Sequence, residues 1–161
     1  MSSVQFTPSR RTDYALQAMI YLASADSRWT AAPEIAQAME LSVNYLRQVP
    51  RTLAKAHLVL SSPSPTGGYA LARPPGQITV LEIIEATEGK LTAAECMLRG
   101  GPCHWEDVCP MHSVWSGALG ALRDRLAAES LEAVAATDRA LARHQLAIPA
   151  DAHRRRARTG T

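Results

Sequence analysis

A mainly α-helical fold carrying one short hairpin is predicted by three observations. Aromatic residues make up only 5% of the 161 residues while Ala and Leu abound, a composition that favours helices over a sandwich or barrel. Apolar residues recur at helical spacing in several separate stretches. One turn-rich run, Pro63-Ser64-Pro65-Thr66-Gly67-Gly68, separates Val59-Leu60-Ser61-Ser62 from Tyr69-Ala70-Leu71-Ala72, two short pieces that read as strands. With 47% hydrophobic residues, the chain can form one compact core plus an accessory segment.

From Asp13 to Ala25, Leu16, Met19, Ile20 and Leu22 fall largely on one face and predict a first helix. A short second helix follows Thr30 and runs to about Met39, with Pro33 tolerated in a first turn whose N–H groups have no intrahelical acceptor. Ser42 can cap a third helix in which Leu46, Val49 and Leu53 face inward, with Asn44, Arg47, Gln48, Arg51 and Lys55 on the other, polar and basic faces. Helix, turn, helix and hairpin is the order of a winged helix-turn-helix unit with a two-stranded wing. After Pro74-Pro75-Gly76, Thr79 and Glu82 form a capping box for a helix through Val80, Ile83 and Ile84 that ends at Gly89. From about His112 a long helix carries Trp115, Leu119, Leu122 and Leu126, a narrow apolar seam of the kind two helices share and that ordinary core packing also uses.

Charge is unevenly distributed within a net of +2. Residues 1–75 hold seven Lys or Arg against four acids, residues 76–148 hold six against ten, and the last thirteen hold four Arg against one Asp. A basic front half suits a polyanion, and a solvated basic face has the same composition. No stretch approaches the roughly 20 apolar residues that span a bilayer, and the N-terminus lacks the apolar core of a signal peptide, so a cytoplasmic location is expected. No nucleotide-binding glycine motif, Ser-His-Asp pattern or carboxylate pair can be assigned, so the chain is not expected to be an enzyme.

In a helix-turn-helix the second helix enters the major groove. Here that helix starts at Ser42 and places Asn44, Arg47 and Gln48 in its first two turns, where Arg and Gln can make paired contacts to guanine and adenine. Arg51 and Lys55 more naturally meet phosphate. Tyr45 and the wing residues Thr66, Gly67 and Gly68 complete the expected DNA-contacting set.

All three cysteines fall in one segment, Cys96-x6-Cys103-x5-Cys109, with His104 beside the second and His112 three residues after the third. An odd number in a reducing compartment speaks against a disulfide framework and for a bound metal. Thiolates are the usual ligands of iron-sulfur clusters, and a Cys3His zinc site uses the same donors, so both metals stay open on spacing alone. His57, His144 and His153 have no metal spacing.

Several collinear motifs resemble the Rrf-two family of regulators. They are Tyr14-Ala15-Leu16-Gln17-Ala18-Met19, Pro33-Glu34-Ile35-Ala36, Leu41 to Gln48, Gly67 to Pro75, Ile78 to Gly89, and Cys109-Pro110-Met111-His112-Ser113-Val114-Trp115. The likeness runs through roughly residues 9–130 in unbroken order, far more specific than any single motif. It implies a homodimeric transcription factor, a repressor, that binds an imperfect palindrome in double-stranded DNA and senses nitric oxide, iron or redox state. It also shifts the metal from zinc to a two-iron or four-iron iron-sulfur cluster. The fourth ligand is then His112, as in one branch of the family, or Asp13 from the partner subunit, as in another. A zinc-stabilised winged-helix protein acting as a protein-binding adaptor is the alternative.

Three positions depart from the family pattern. Arg47 stands where one branch has an acidic base-reading residue, Pro63 where some members carry an Arg at the wing tip, and Pro50 lies inside the recognition helix. The expected organisation is a winged DNA-binding domain over 1–78, a cluster-binding loop with dimerisation helices over 79–148, and a disordered basic tail over 149–161.

Overall fold

The computed structural model describes residues 8–25, 29–39, 48–64, 67–92, 102–105 and 108–147. In chain order the elements are α1 (Arg10–Ser24), α2 (Ala32–Ala38), α3 (Gln48–Lys55), β1 (Val59–Ser62), β2 (Gly68–Leu71), a 3-10 turn (Pro75–Gln77), α4 (Val80–Glu88), α5 (Pro110–Ala127) and α6 (Leu131–Ala142). Among the described residues the fold is mainly α with a single antiparallel pair of strands, the winged-helix arrangement.

α1 begins at Arg10, three residues before the start expected from periodicity, because the Ser9 side chain accepts the Thr12 amide and supplies the cap. Its Ala15, Ala18, Met19 and Leu22 are buried against the rest of the core. α3 turns Val49 and Leu53, one turn apart, into the same core, and both are fully buried. It ends in a hydrogen-bonded reversal in which the Leu58 amide reaches the Leu53 carbonyl (3.0 Å) and the His57 amide reaches that of Ala54 (3.0 Å). His57 takes the left-handed position there, φ 56°, that glycine usually fills. The reversal aims the chain into β1, with Leu58 and Val59 buried.

β1 and β2 pair from Val59 with Leu71 to Ser62 with Gly68. On its other edge β2 meets the entrance to α2: the Thr30 amide donates to the Tyr69 carbonyl (2.9 Å) and the Tyr69 amide returns a bond to the Thr30 carbonyl (2.8 Å). The hairpin is thus held from two sides. α4 carries the expected capping box, with the Thr79 side chain accepting the Glu82 amide and Glu82 accepting the Thr79 amide, and stops at Gly89, φ 89°. Glu82 also takes Arg73, which leaves the hairpin, at 2.7 Å. Burial alone would raise the Glu82 carboxyl, but the Thr79 amide and the Arg73 guanidinium outweigh it and hold the group below its ordinary range.

α6 adds a helix whose packing the apolar pattern did not single out. Leu131 and Ala135 are buried, and the helix lies along α1. Backbone bonds from Val80 to the Glu129 carbonyl (2.9 Å) and from Leu131 to the Ile78 carbonyl (2.8 Å) stitch the α5–α6 junction onto the start of α4. Residues on both sides of position 78 therefore share one core, including Ala15, Met19, Ile35, Val49, Leu53, Ile78, Ile83 and Leu131. The basic tail, 149–161, lies outside the described residues.

Candidate nucleic-acid interface and metal centre

On the DNA side, α3 splits cleanly. Val49, Pro50 and Leu53 are buried, while Arg51 and Lys55, one turn apart, are exposed on the opposite face. Pro50 is the third residue of the described α3 span, and the residues before Gln48 lie outside the described residues. Ser42, Asn44, Tyr45 and Arg47 lie outside the described residues, as does the side chain of Gln48. On the wing, Gly67 leads into β2, Gly68 is its first residue, and Thr66 lies outside the described residues. A β-carbon on Gly68 would stand 2.2 Å from the Thr30 carbonyl oxygen, so the close approach of β2 to the α2 entrance requires glycine.

On the metal side, Cys103 and Cys109 are free thiols, both half-buried. Cys109 occupies the N-cap of α5 and makes no side-chain capping bond, which leaves its sulfur available at the end of the helix where negative charge is favoured. His112 is half-buried in the first turn of α5, and its amide donates to the Cys109 carbonyl at 3.1 Å. Cys96 lies outside the described residues. Asp13 is exposed in the first turn of α1, where it accepts Gln17 Nε2 at 2.9 Å. Among the described residues no three His, Cys, Asp or Glu side chains gather into a metal-holding group, so Cys103, Cys109 and His112 are not by themselves a closed site. Their donor chemistry fits a thiophilic metal such as iron or zinc.

Two polar clusters beside these residues escaped the sequence patterns. At the start of α1, Glu88 Oε1 accepts the Ser9 amide (2.7 Å) and the Thr12 hydroxyl, Thr12 Oγ1 lies 2.7 Å from Thr87 Oγ1, and Arg11 donates to the Thr87 carbonyl. The Thr12 and Ser9 bonds hold the Glu88 carboxyl below its ordinary range. At α5, Arg123 donates to Glu85 Oε1 and to the Leu91 carbonyl (3.0 Å), while the Leu91 amide donates to the same Glu85 oxygen (3.1 Å). Apart from Leu91 and Glu85, six residues apart, the partners are 32 or more positions apart, and no local spacing signals them.

α5 itself has no buried residue. Of the expected seam, Leu122 is exposed and Trp115, Leu119 and Leu126 are half-buried. Val114 is 64% exposed, and Trp105 and Val108 just ahead of the helix are 68% and 72% exposed. That much open apolar surface on a small chain marks an interaction face. Among the described residues no helix is long and apolar enough to cross a membrane.

Known proteins share this arrangement. The model of the Rrf2 family, described as an iron-dependent transcriptional regulator, matches residues 8–137. The HTH-type transcriptional regulator IscR of Cronobacter sakazakii is 36% identical over 114 residues, which cover 70% of this chain and 67% of the relative. Among solved structures, CymR, the global cysteine regulator of B. subtilis, superposes with a TM-score of 0.68 at 31% identity, over 82% of this chain and 98% of its own. IscR of T. potens superposes with a TM-score of 0.66 at 30% identity, over 89% of this chain and 94% of its own. These relatives are regulators of transcription and not enzymes. A winged helix with a basic outer face on α3, matched along most of its length by such proteins, identifies this chain as a member of the Rrf2 family of transcriptional regulators.

Proposed function

We propose that the chain is a homodimeric repressor whose affinity for operator DNA is set by an iron-sulfur cluster held by Cys96, Cys103 and Cys109. The observation that carries this reading is the position of Cys109 at the N-cap of α5, a helix whose far end leads into the junction stitched to the start of α4 and whose apolar seam is exposed at Leu122 and half-buried at Trp115, Leu119 and Leu126. One end of α5 thus carries Cys109, and the junction after its other end bonds to Ile78 and Val80, where the winged unit runs into α4. His112, in the first turn of the same helix, or Asp13 of the partner subunit supplies the fourth ligand. A bound cluster contributes a group that iron loss, oxidants or nitric oxide can alter, and a histidine or carboxylate ligand is more easily displaced than a thiolate.

The chain's own residues do the rest. Arg51 and Lys55 meet phosphates, Ser42, Asn44, Tyr45, Arg47 and Gln48 face base edges and their flanking phosphates, and Thr66, Gly67 and Gly68 bring the wing to the backbone. α5 pairs with its copy through Trp115, Leu119, Leu122 and Leu126, setting two recognition helices on half-sites of an imperfect palindrome about 34 Å apart.

The test begins with anaerobic purification and analysis of iron, sulfide and visible absorption. Operator titration of the loaded protein, the metal-free protein and protein exposed to nitric oxide or oxidant follows at one fixed salt concentration. Iron with sulfide, lost in the triple Cys→Ala variant, and at least a tenfold spread of Kd among these states are expected. Zinc without sulfide points instead to the protein-binding adaptor. Iron that survives the triple variant, or equal Kd values in all states, overturns the proposal.

A further inference from the structure

We infer that Arg123 is a positioning residue that couples the thiol end of α5 to the winged unit, acting through Glu85 of α4 and the backbone of Leu91. The inference rests on the reading above that the thiols hold an iron group. No residue of α5 is fully buried, its Trp115, Leu119 and Leu126 are half-buried, and polar ties from Arg123 add to its seating on α4. Arg123, Glu85 and the peptide groups of Leu91 close a ring: guanidinium to carboxylate, guanidinium to carbonyl, and amide back to the same carboxylate oxygen. The Glu85 side chain is 18% exposed and that of Arg123 35%, so water screens the ring less than an open surface pair.

Leu91 lies at the entry to the segment that carries the cysteines, five residues before Cys96 in sequence. Arg123 stands fourteen residues after Cys109 on the helix that the segment leads into, about 21 Å along its axis at 1.5 Å per residue. Chain and clamp together therefore form a closed circuit from Leu91 through the cysteines to Cys109, up α5 to Arg123, and back to Leu91. A change in how the thiols are held must be taken up somewhere in that circuit. With the clamp closed, a displacement that reaches Leu91 or Arg123 is passed to Glu85, whose helix packs on α1 and α3. With the clamp open, the entry to the segment can shift without moving α4. This is a physical connection that can be cut at one point, which is what a coupling claim needs.

The experiment compares full-length wild type, Arg123→Gln, Glu85→Gln and the conservative Arg123→Lys. Two measurements are made: amide hydrogen exchange at Leu91 in metal-free protein, and operator Kd with and without iron. Arg123→Gln and Glu85→Gln are expected to speed exchange at Leu91 at least about tenfold, and to shrink the ratio of the two Kd values from tenfold or more to under about threefold, with iron content retained. Arg123→Lys, which keeps the charge, should restore part of that ratio. A merely structural role would weaken DNA binding equally in both states and leave the ratio unchanged, and that result overturns the inference. A wild type that holds no iron defeats the reading beneath it and the coupling with it, whereas a wild type that responds to iron beside variants that respond equally defeats the coupling alone. Should Arg123→Gln fail to fold, Glu85→Gln, which keeps every atom position of the carboxylate, decides by the same two measurements.

Discussion

Replacing Gly68 with Ala places a β-carbon 2.2 Å from the Thr30 carbonyl oxygen, 2.6 Å from its carbon and 3.0 Å from the Ala31 Cα. All three neighbours are backbone atoms, so relief requires β2 to withdraw by about 1 Å, given ordinary non-bonded contacts of roughly 3.5 Å. That movement strains the two Thr30–Tyr69 hydrogen bonds, of 2.9 and 2.8 Å. Each contributes about 1 kcal/mol net. The backbone at φ 146° adds a further ~1–3 kcal/mol for any residue with a β-carbon. Together the loss is about 3–5 kcal/mol, or a fall of roughly 10 °C in Tm for a chain of this size. Gly89→Ala is the control, because Gly89 has φ 89° but nothing within 4 Å of the added carbon. It carries the conformational term alone. Thermal unfolding by circular dichroism, with operator titration at fixed salt, compares the two variants. Gly68→Ala should be the less stable by about 2 kcal/mol and should bind operator more weakly because its wing is displaced. Equal Tm losses in the two variants would refute the reasoning.

The remaining predictions concern the core and the start of α1. Leu131→Ala, at a side chain 1% exposed, should cost about 2–5 kcal/mol and lower a single cooperative transition; two separate transitions, with the winged unit unaffected, would show that α6 is not part of this core. Glu88 has its carboxyl held below the ordinary value of 4.5, so its contribution is full above that pH and is lost as the pH falls through the lower folded value. Glu88→Gln should therefore flatten the acid limb of stability below about pH 4.5, and at neutral pH should cost no more than about 1 kcal/mol because the side chain is exposed. An unchanged acid limb in urea titrations would remove Glu88 from that role.

What local chemistry decides was legible in the sequence. The Thr79–Glu82 capping box and the Gly89 stop depend on residues within one turn of each other, and they appear where the sequence places them. Val49 and Leu53 fall inward and Arg51 and Lys55 outward because a helix puts residues four apart on one face. The hairpin follows from a turn-rich run between two β-prone pieces. The spacing of Cys96, Cys103 and Cys109 states a thiolate donor chemistry without any fold. Tertiary structure alone decided the rest. The first turn of α1, whose Arg10 start the local Ser9 cap supplies, is held by Glu88, seventy-nine positions beyond Ser9. α6 is joined to the core by Leu131, although its pattern looks like that of any surface helix. His57 and His144 take left-handed conformations where glycine is the usual signal, so neither reversal can be read from residue type. Arg73 meets Glu82, and Arg123 meets Glu85, through charges that could equally have been solvated. Periodicity and capping are short-range and survive in a string of letters, whereas a contact between distant residues exists only once the core has set the distance between them.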